Sequence, residues 1–80
     1  MKVYLVSGTG LVKNITRTEE TIRFDLEFKS SQFTAFISPE FESFSKTTIR
    51  EGMALKFEGR AVRTNEDKTL FVEIDLMQEV

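Results

Sequence analysis

Eighty residues with a formal net charge of −2, 40% hydrophobic and 30% charged side chains read as one soluble globular domain spanning residues 1–80. Folding at this size buries only about 60–65% of the unfolded surface, so the core has to be dense; eight phenylalanines supply the bulk. Cysteine and histidine are both absent, which excludes structural zinc, disulfide staples, thiol nucleophiles and every His-based acid–base arrangement. The expectation is therefore a non-catalytic protein without a cofactor.

Val3-Tyr4-Leu5-Val6 opens a strand that Gly8 and Gly10 interrupt with a bend or bulge and that resumes at Leu11-Val12-Lys13-Asn14-Ile15. Residues 16–20 read as a loop. Residues 21–29, Thr-Ile-Arg-Phe-Asp-Leu-Glu-Phe-Lys, alternate without a break, with every even position large and apolar, the mark of a strand with one wet face. A third strand follows at 32–37, Gln-Phe-Thr-Ala-Phe-Ile.

Ser38-Pro39-Glu40 then starts a helix: a hydroxyl N-cap, proline at the first helical position and a carboxylate near the positive end. The helix is expected to run to about residue 47, with Phe41 and Phe44 on one apolar side plugging the end of the core, and Gly52 turning the chain back. Two more alternating strands follow, Lys56–Arg60 and 70–76, joined by a polar hairpin loop at 64–68. Their inward residues are expected to be Leu55 and Phe57, then Leu70, Val72, Ile74 and Leu76. Three strands, a short helix and two strands, with a long glycine-bent first strand, is the order of the five-stranded, all-β Greek-key barrel called the oligonucleotide/oligosaccharide-binding (OB) fold.

The chain also resembles the bacterial single-stranded DNA-binding proteins. The likeness is carried by Val3-Tyr4-Leu5-Val6-Ser7-Gly8, by Phe33-Thr34-Ala35-Phe36-Ile37, by Thr69-Leu70-Phe71-Val72-Glu73-Ile74 and most of all by Arg50-Glu51-Gly52-Met53-Ala54-Leu55-Lys56-Phe57-Glu58-Gly59-Arg60. It departs from that family in having short loops and no acidic tail. The resemblance implies the fold and a binding mode in which bases stack on aromatic rings and phosphates meet cations.

Such a site needs rings and cations on the wet side of the strands. Phe71 has outward parity in the last strand. Phe33 and Phe36 have opposite parity in the third, so one of them faces out; the resemblance favours Phe33. Tyr4, opposed to Val3 and Leu5, is a further outward ring. Among the cations, Arg23 lies on the wet face of the second strand, Arg17 in the loop after the first, Lys56 on the fourth strand, and Arg60, Arg63 and Lys68 on or beside the last hairpin. In OB barrels these two loops flank the binding cleft. The acidic pairs Asp25/Glu27 and Glu73/Asp75 each share a strand face, more in keeping with a solvated sheet than with a Mg²⁺ site.

The ligand expected is single-stranded DNA in preference to RNA, in a replication, recombination or mobile-element setting, with replication or mobile-element proteins as further partners. A homo-oligomer, dimer or tetramer, is expected from the small core and exposed rings. The second reading is an OB module for protein–protein interaction or assembly, which suits the acidic balance. No stretch approaches the ~20 apolar residues of a membrane span, and the lack of cysteine fits a cytoplasmic protein.

Overall fold

A computed structural model describes residues 3–63 and 70–80, with side chains for 4–61 and 71–80. The expected hairpin loop at 64–68, and Lys68 with it, lies outside the described residues. The elements are β1 (Val3–Arg17), β2 (Ile22–Phe28), β3 (Ser31–Ile37), α1 (Pro39–Ser45), β4 (Ala54–Arg63) and β5 (Leu70–Glu79). The strands close into a barrel in the order β1-β2-β3-β5-β4, with β3 and β5 parallel and the other neighbours antiparallel. This is the expected OB topology.

Closure depends on β1, which pairs with β4 over Val3–Leu11 and with β2 over Leu11–Arg17. Between Lys13 and Thr16 its register against β2 slips, and Asn14 there takes a φ of 55°. Asparagine tolerates this left-handed conformation better than other side chains because its short amide bonds locally. Its Nδ2 donates to Asp25 Oδ2 at 2.9 Å, and its backbone N–H donates to the Glu51 carboxylate at 3.0 and 3.2 Å. Earlier in the strand the phenyl ring of Phe28 lies against the backbone of Gly8, where a Cβ would stand 1.9 Å from Phe28 Cε1. Phe28 in turn meets Phe57 edge-on at 5.6 Å between centroids. Glycine thus lets one barrel wall approach the aromatic filling directly.

The alternation of β2 is realised as read: Ile22, Phe24 and Leu26 are fully buried and Arg23, Asp25 and Glu27 face outward. Together with Val12, Ala35, Leu55, Phe57, Val72 and Ile74 they form one core. In β5 the expected inward row breaks after Ile74. Leu76 is 61% exposed and Met77 is buried in its place. The cause is a bulge: Glu58 pairs with Leu76 but the next residue, Gly59, pairs with Ile74, so Asp75 is an extra residue and the side-chain phase reverses. Opposite the bulge the strands close tightly, and a Cβ on Gly59 would stand 2.4 Å from the Glu73 carbonyl oxygen.

α1 starts as read, with Ser38 Oγ accepting from Phe41 N at 3.1 Å and Pro39 following. It stops at Ser45, earlier than expected, because Lys46 takes a left-handed C-cap conformation (φ 58°). Only Phe41 packs against the core; Phe44 is 85% exposed, contrary to the expectation that both rings plug the barrel end. Ile49 and Met53, from the segment after the helix, are buried instead. That segment is tied to β1 by Val12 N to Met53 O (3.0 Å) and Gly52 N to Val12 O (2.7 Å).

The tight approach at Gly59 makes a stability prediction. Gly59→Ala should destabilise the fold by about 1–3 kcal/mol, the usual cost of overpacking. Urea unfolding of the two proteins reads this directly; an unchanged midpoint would show that β5 can move away at no cost.

Candidate functional site

The outer surface of β2, β3 and β5 brings three of the anticipated residues together. Arg23 on β2 is directly opposite Phe36 on β3, and Phe36 is opposite Glu73 on β5, with Phe71 one outward position along beside Thr34. The Arg23 guanidinium lies over the Phe71 ring, 5.6 Å from its centroid. Such a contact contributes about 0.5–1 kcal/mol on an exposed surface, enough to orient a long side chain. Phe36 and Phe71 are both half-buried, so each ring is supported from below and leaves part of its face open.

Two open clefts meet at Phe36. One, of about 370 Å³, is lined by Thr16, Thr18, Thr21, Arg23, Phe36 and Phe71. The other, of about 360 Å³, lies between Phe36, Ser38, Phe41, Glu20, Glu73 and Asp75. The three threonines were not foreseen. Thr18 and Thr21 hold the 18–21 turn, where Thr18 Oγ1 accepts from Thr21 N at 3.0 Å and donates to Thr21 O at 3.1 Å. The Thr-x-x-Thr spacing beside a strand was the available signal, since such hydroxyls commonly cap turns.

The strand parities decide where the other rings lie. Phe33 shares the inward row of Ala35 and Ile37, packs against the core and sits 6.1 Å from Phe28. The outward ring of β3 is thus Phe36, not the Phe33 that the resemblance favoured. In β1 the even positions point inward, with Val6 against the core and Val12 buried. Tyr4 therefore belongs to the inner row, at the barrel mouth and 48% exposed, while Leu5, expected to face in, is 88% exposed.

Four of the eight cations whose side chains are described are already engaged by carboxylates. Arg17 ends β1 rather than lying in a loop, and its guanidinium makes a two-pronged contact with Glu42 of α1 (3.1 and 3.0 Å) and donates to the Ile49 carbonyl (2.8 Å). Arg60 is shared between Glu73 (3.1 Å) and Asp75 (3.3 Å), and Lys13 is paired with Glu27. The acidic pairs on the strands are thus occupied by Arg60, by Lys13 and, at Asp25, by Asn14. Lys56 stands on the outer face of β4 between Thr9 and Gln78, away from Arg23 and the two rings. Arg63 is the last residue of β4, opposite Leu70. Among the described residues Arg23 has no carboxylate partner.

This barrel belongs to the OB-fold class by its strand order, closure and helix position. It is similar to a chain in the solved structure of a replication protein A heterotrimer bound to ssDNA, with a TM-score of 0.74 and 14% sequence identity over 95% of this chain and 57% of that one. This chain thus spans little more than half of that neighbour's length, and the likeness is one of fold. No family model matches the sequence, and no curated protein matches it significantly. No helix among the described residues is long and apolar enough to cross a membrane.

The clamp between Arg17 and Glu42 displaces the titration of both groups, raising that of the guanidinium and lowering that of the carboxyl. Hydrogen bonding from Arg17, helped by the Ile49 N–H at 2.8 Å, holds the Glu42 carboxyl below its ordinary value of 4.5, against the opposing effect of its partial burial. A carboxylate with a lowered folded-state pKa stabilises fully above the unfolded value and loses that contribution as pH falls through the folded value. Glu42→Gln should therefore lower the melting temperature at neutral pH, and the gap to the parent should narrow as pH drops below about 4.5. A gap that stays constant with pH would remove the clamp from the account.

Proposed function

We propose that this protein binds single-stranded nucleic acid, DNA in preference to RNA, without catalysing a reaction on it. The observation that carries the reading is the pairing of two supported, partly open rings, Phe36 and Phe71, with the Arg23 guanidinium on the outer surface of β2, β3 and β5. Sequence-tolerant single-strand binding requires this combination: every base has a π-face to lay on a ring, and every linkage carries a phosphate for a cation. The surface is also the one that OB barrels offer to oligonucleotides, flanked on one side by the 18–21 turn.

The fold likeness to a protein solved with ssDNA supports the same direction. Arg23 contacts the backbone, Phe36 and Phe71 stack successive bases, and the threonine hydroxyls of the cleft accept or donate at base or sugar edges. Arg60 borders this surface, and a phosphate there competes with Glu73 and Asp75. The net charge of −2 limits long-range attraction, so stacking carries more of the affinity than in a basic domain. A replication, recombination or mobile-element setting is the context that fits such an activity.

Fluorescence anisotropy with a labelled oligonucleotide at low salt tests the proposal. Phe71→Ala and Phe36→Ala should each weaken binding by about 1–3 kcal/mol, roughly 5- to 150-fold. Arg23→Gln should weaken it less at high salt than at low salt, reducing the slope of log K against log salt by about 0.7. Absence of binding at tens of micromolar protein, or binding that these three substitutions leave untouched, would reject this site.

A further inference from the structure

Six large apolar side chains are strongly exposed among the described residues: Tyr4, Leu5, Leu11, Phe44, Leu76 and Val80. Four of them, Leu5, Leu11, Leu76 and Val80, fall on one surface, the outer face of β1, β4 and the part of β5 beyond Asp75, which holds neither ring of the candidate site. The strand registers arrange that surface in cross-strand rows. Leu5 lies beside Arg60, Ser7 beside Glu58 and Leu76, Thr9 beside Lys56 and Gln78, and Leu11 beside Ala54, whose carbonyl accepts from Val80 N at 3.0 Å. The middle rows enclose a shallow depression of about 530 Å³. The apolar groups stand at the two ends and one side of this face with small polar and charged residues between them. Exposed apolar groups gathered on one sheet face and rimmed by polar residues mark a contact surface more often than singly scattered ones do.

We infer that this face binds a second copy of the same chain, packed face to face about a two-fold axis that crosses β4 at Phe57. The pattern of charge selects that occupant. A two-fold axis lying between the sheets and across the strands stacks β4 antiparallel on its own copy, so positions equidistant from Phe57 meet. Lys56 then faces Glu58 of the partner subunit and Glu58 faces the partner's Lys56, giving two ion pairs from two adjacent residues. Neither residue has an ion-pair partner among the described residues of its own chain.

The same operation sets Leu5 over the partner's Leu11, at both ends of the contact, and sets Leu76 over the stem of the partner's Gln78. Thr9 meets the partner's Ser7, and these small side chains let the sheets come to the separation of about 10 Å usual for packed sheets. Arg60 is drawn sideways by Glu73 and Asp75, which leaves Leu5 uncovered. An unrelated partner would have no need to match this pattern to itself end for end. The contact does not use Arg23, Phe36 or Phe71, so it is independent of the proposed nucleic-acid binding.

Sedimentation equilibrium of the whole chain over a wide concentration range, with circular dichroism to confirm folding, is the test. The parent should show a reversible monomer–dimer equilibrium. Lys56→Glu and Glu58→Lys should each raise the dimer dissociation constant about tenfold or more, because each puts two like-charge contacts in the interface. The double variant Lys56→Glu/Glu58→Lys should restore the parent value, since it re-forms both pairs with the signs exchanged. Leu5→Ser with Leu76→Ser should dissociate the dimer while leaving a folded chain. A parent that is monomeric at every concentration, a dimer indifferent to the leucine changes, or a double charge exchange no better than the single ones would each overturn the inference.

Discussion

For five strands to close into a barrel, one of them has to leave one neighbour and join another, and here that constraint falls on β1. Its first half is hydrogen-bonded to β4 and its second half to β2, with Leu11 serving both. A straight strand cannot do this, because its two edges point in opposite directions along its whole length. The chain meets the constraint with local devices. Gly8 lets the Phe28 ring touch the backbone on the concave side, and Asn14 takes the left-handed conformation at the register slip. Glu51 and Asp25 fasten that slip by accepting from the Asn14 backbone and side chain. Once β1 is bent, the depth of the core, the position of the helix and the curvature of the outer faces all follow.

The helix is held by chemistry at the same strand. Arg17, the last residue of β1, grips Glu42 and the Ile49 carbonyl, so the end of the bent strand, the helix and the segment beyond it form one rigid corner. Exposed ion pairs add little to stability, about 0–1 kcal/mol each. Their larger effect in this protein concerns which charges remain available. Among the described residues Arg17, Arg50, Arg60 and Lys13 are all matched to carboxylates, which leaves Arg23 as the unpaired cation beside Phe36 and Phe71. That cation is coupled to a ring, which suits a ligand that offers flat bases as well as phosphates.

The strand content and order were legible because the alternation in β2 and in Lys56–Arg60 is unbroken, and because Ser38-Pro39-Glu40 is an unambiguous helix start. What escaped the sequence depended on phase and on packing between distant segments. Phe33 and Phe36 could not be told apart until pairing with β2 and β5 fixed which row looked inward. The inward turn of Met77 in place of Leu76 depends on one extra residue, Asp75, that has no signature of its own beyond the glycine opposite it. The i, i+3 spacing of Phe41 and Phe44 suggests a common buried face, but the seven-residue helix packs only Phe41 against the core and leaves Phe44 exposed. Arg17 was legible as a cation near the cleft, whereas its capture by Glu42, twenty-five residues away, was not.

The bulge in β5 has a consequence for how this surface can vary. Before Asp75 the outward residues of β5, Phe71 and Glu73, belong to the candidate site; after it the outward residues, Leu76 and Gln78, belong to the face shared with β1 and β4. Point substitutions therefore retune either wall without disturbing the other. A change in chain length at this position behaves differently. Removing the one extra residue would leave Ile74 inward, Leu76 outward and Met77 inward in plain alternation, so each face keeps its residues while the strand loses the bend and added twist of the bulge and the carboxylate that Arg60 holds. Which residues each wall presents is thus insensitive to the loss of Asp75, whereas the angle between the walls is set by it; closing the bulge by a register shift that keeps Asp75 would instead turn Leu76 inward and Met77 outward.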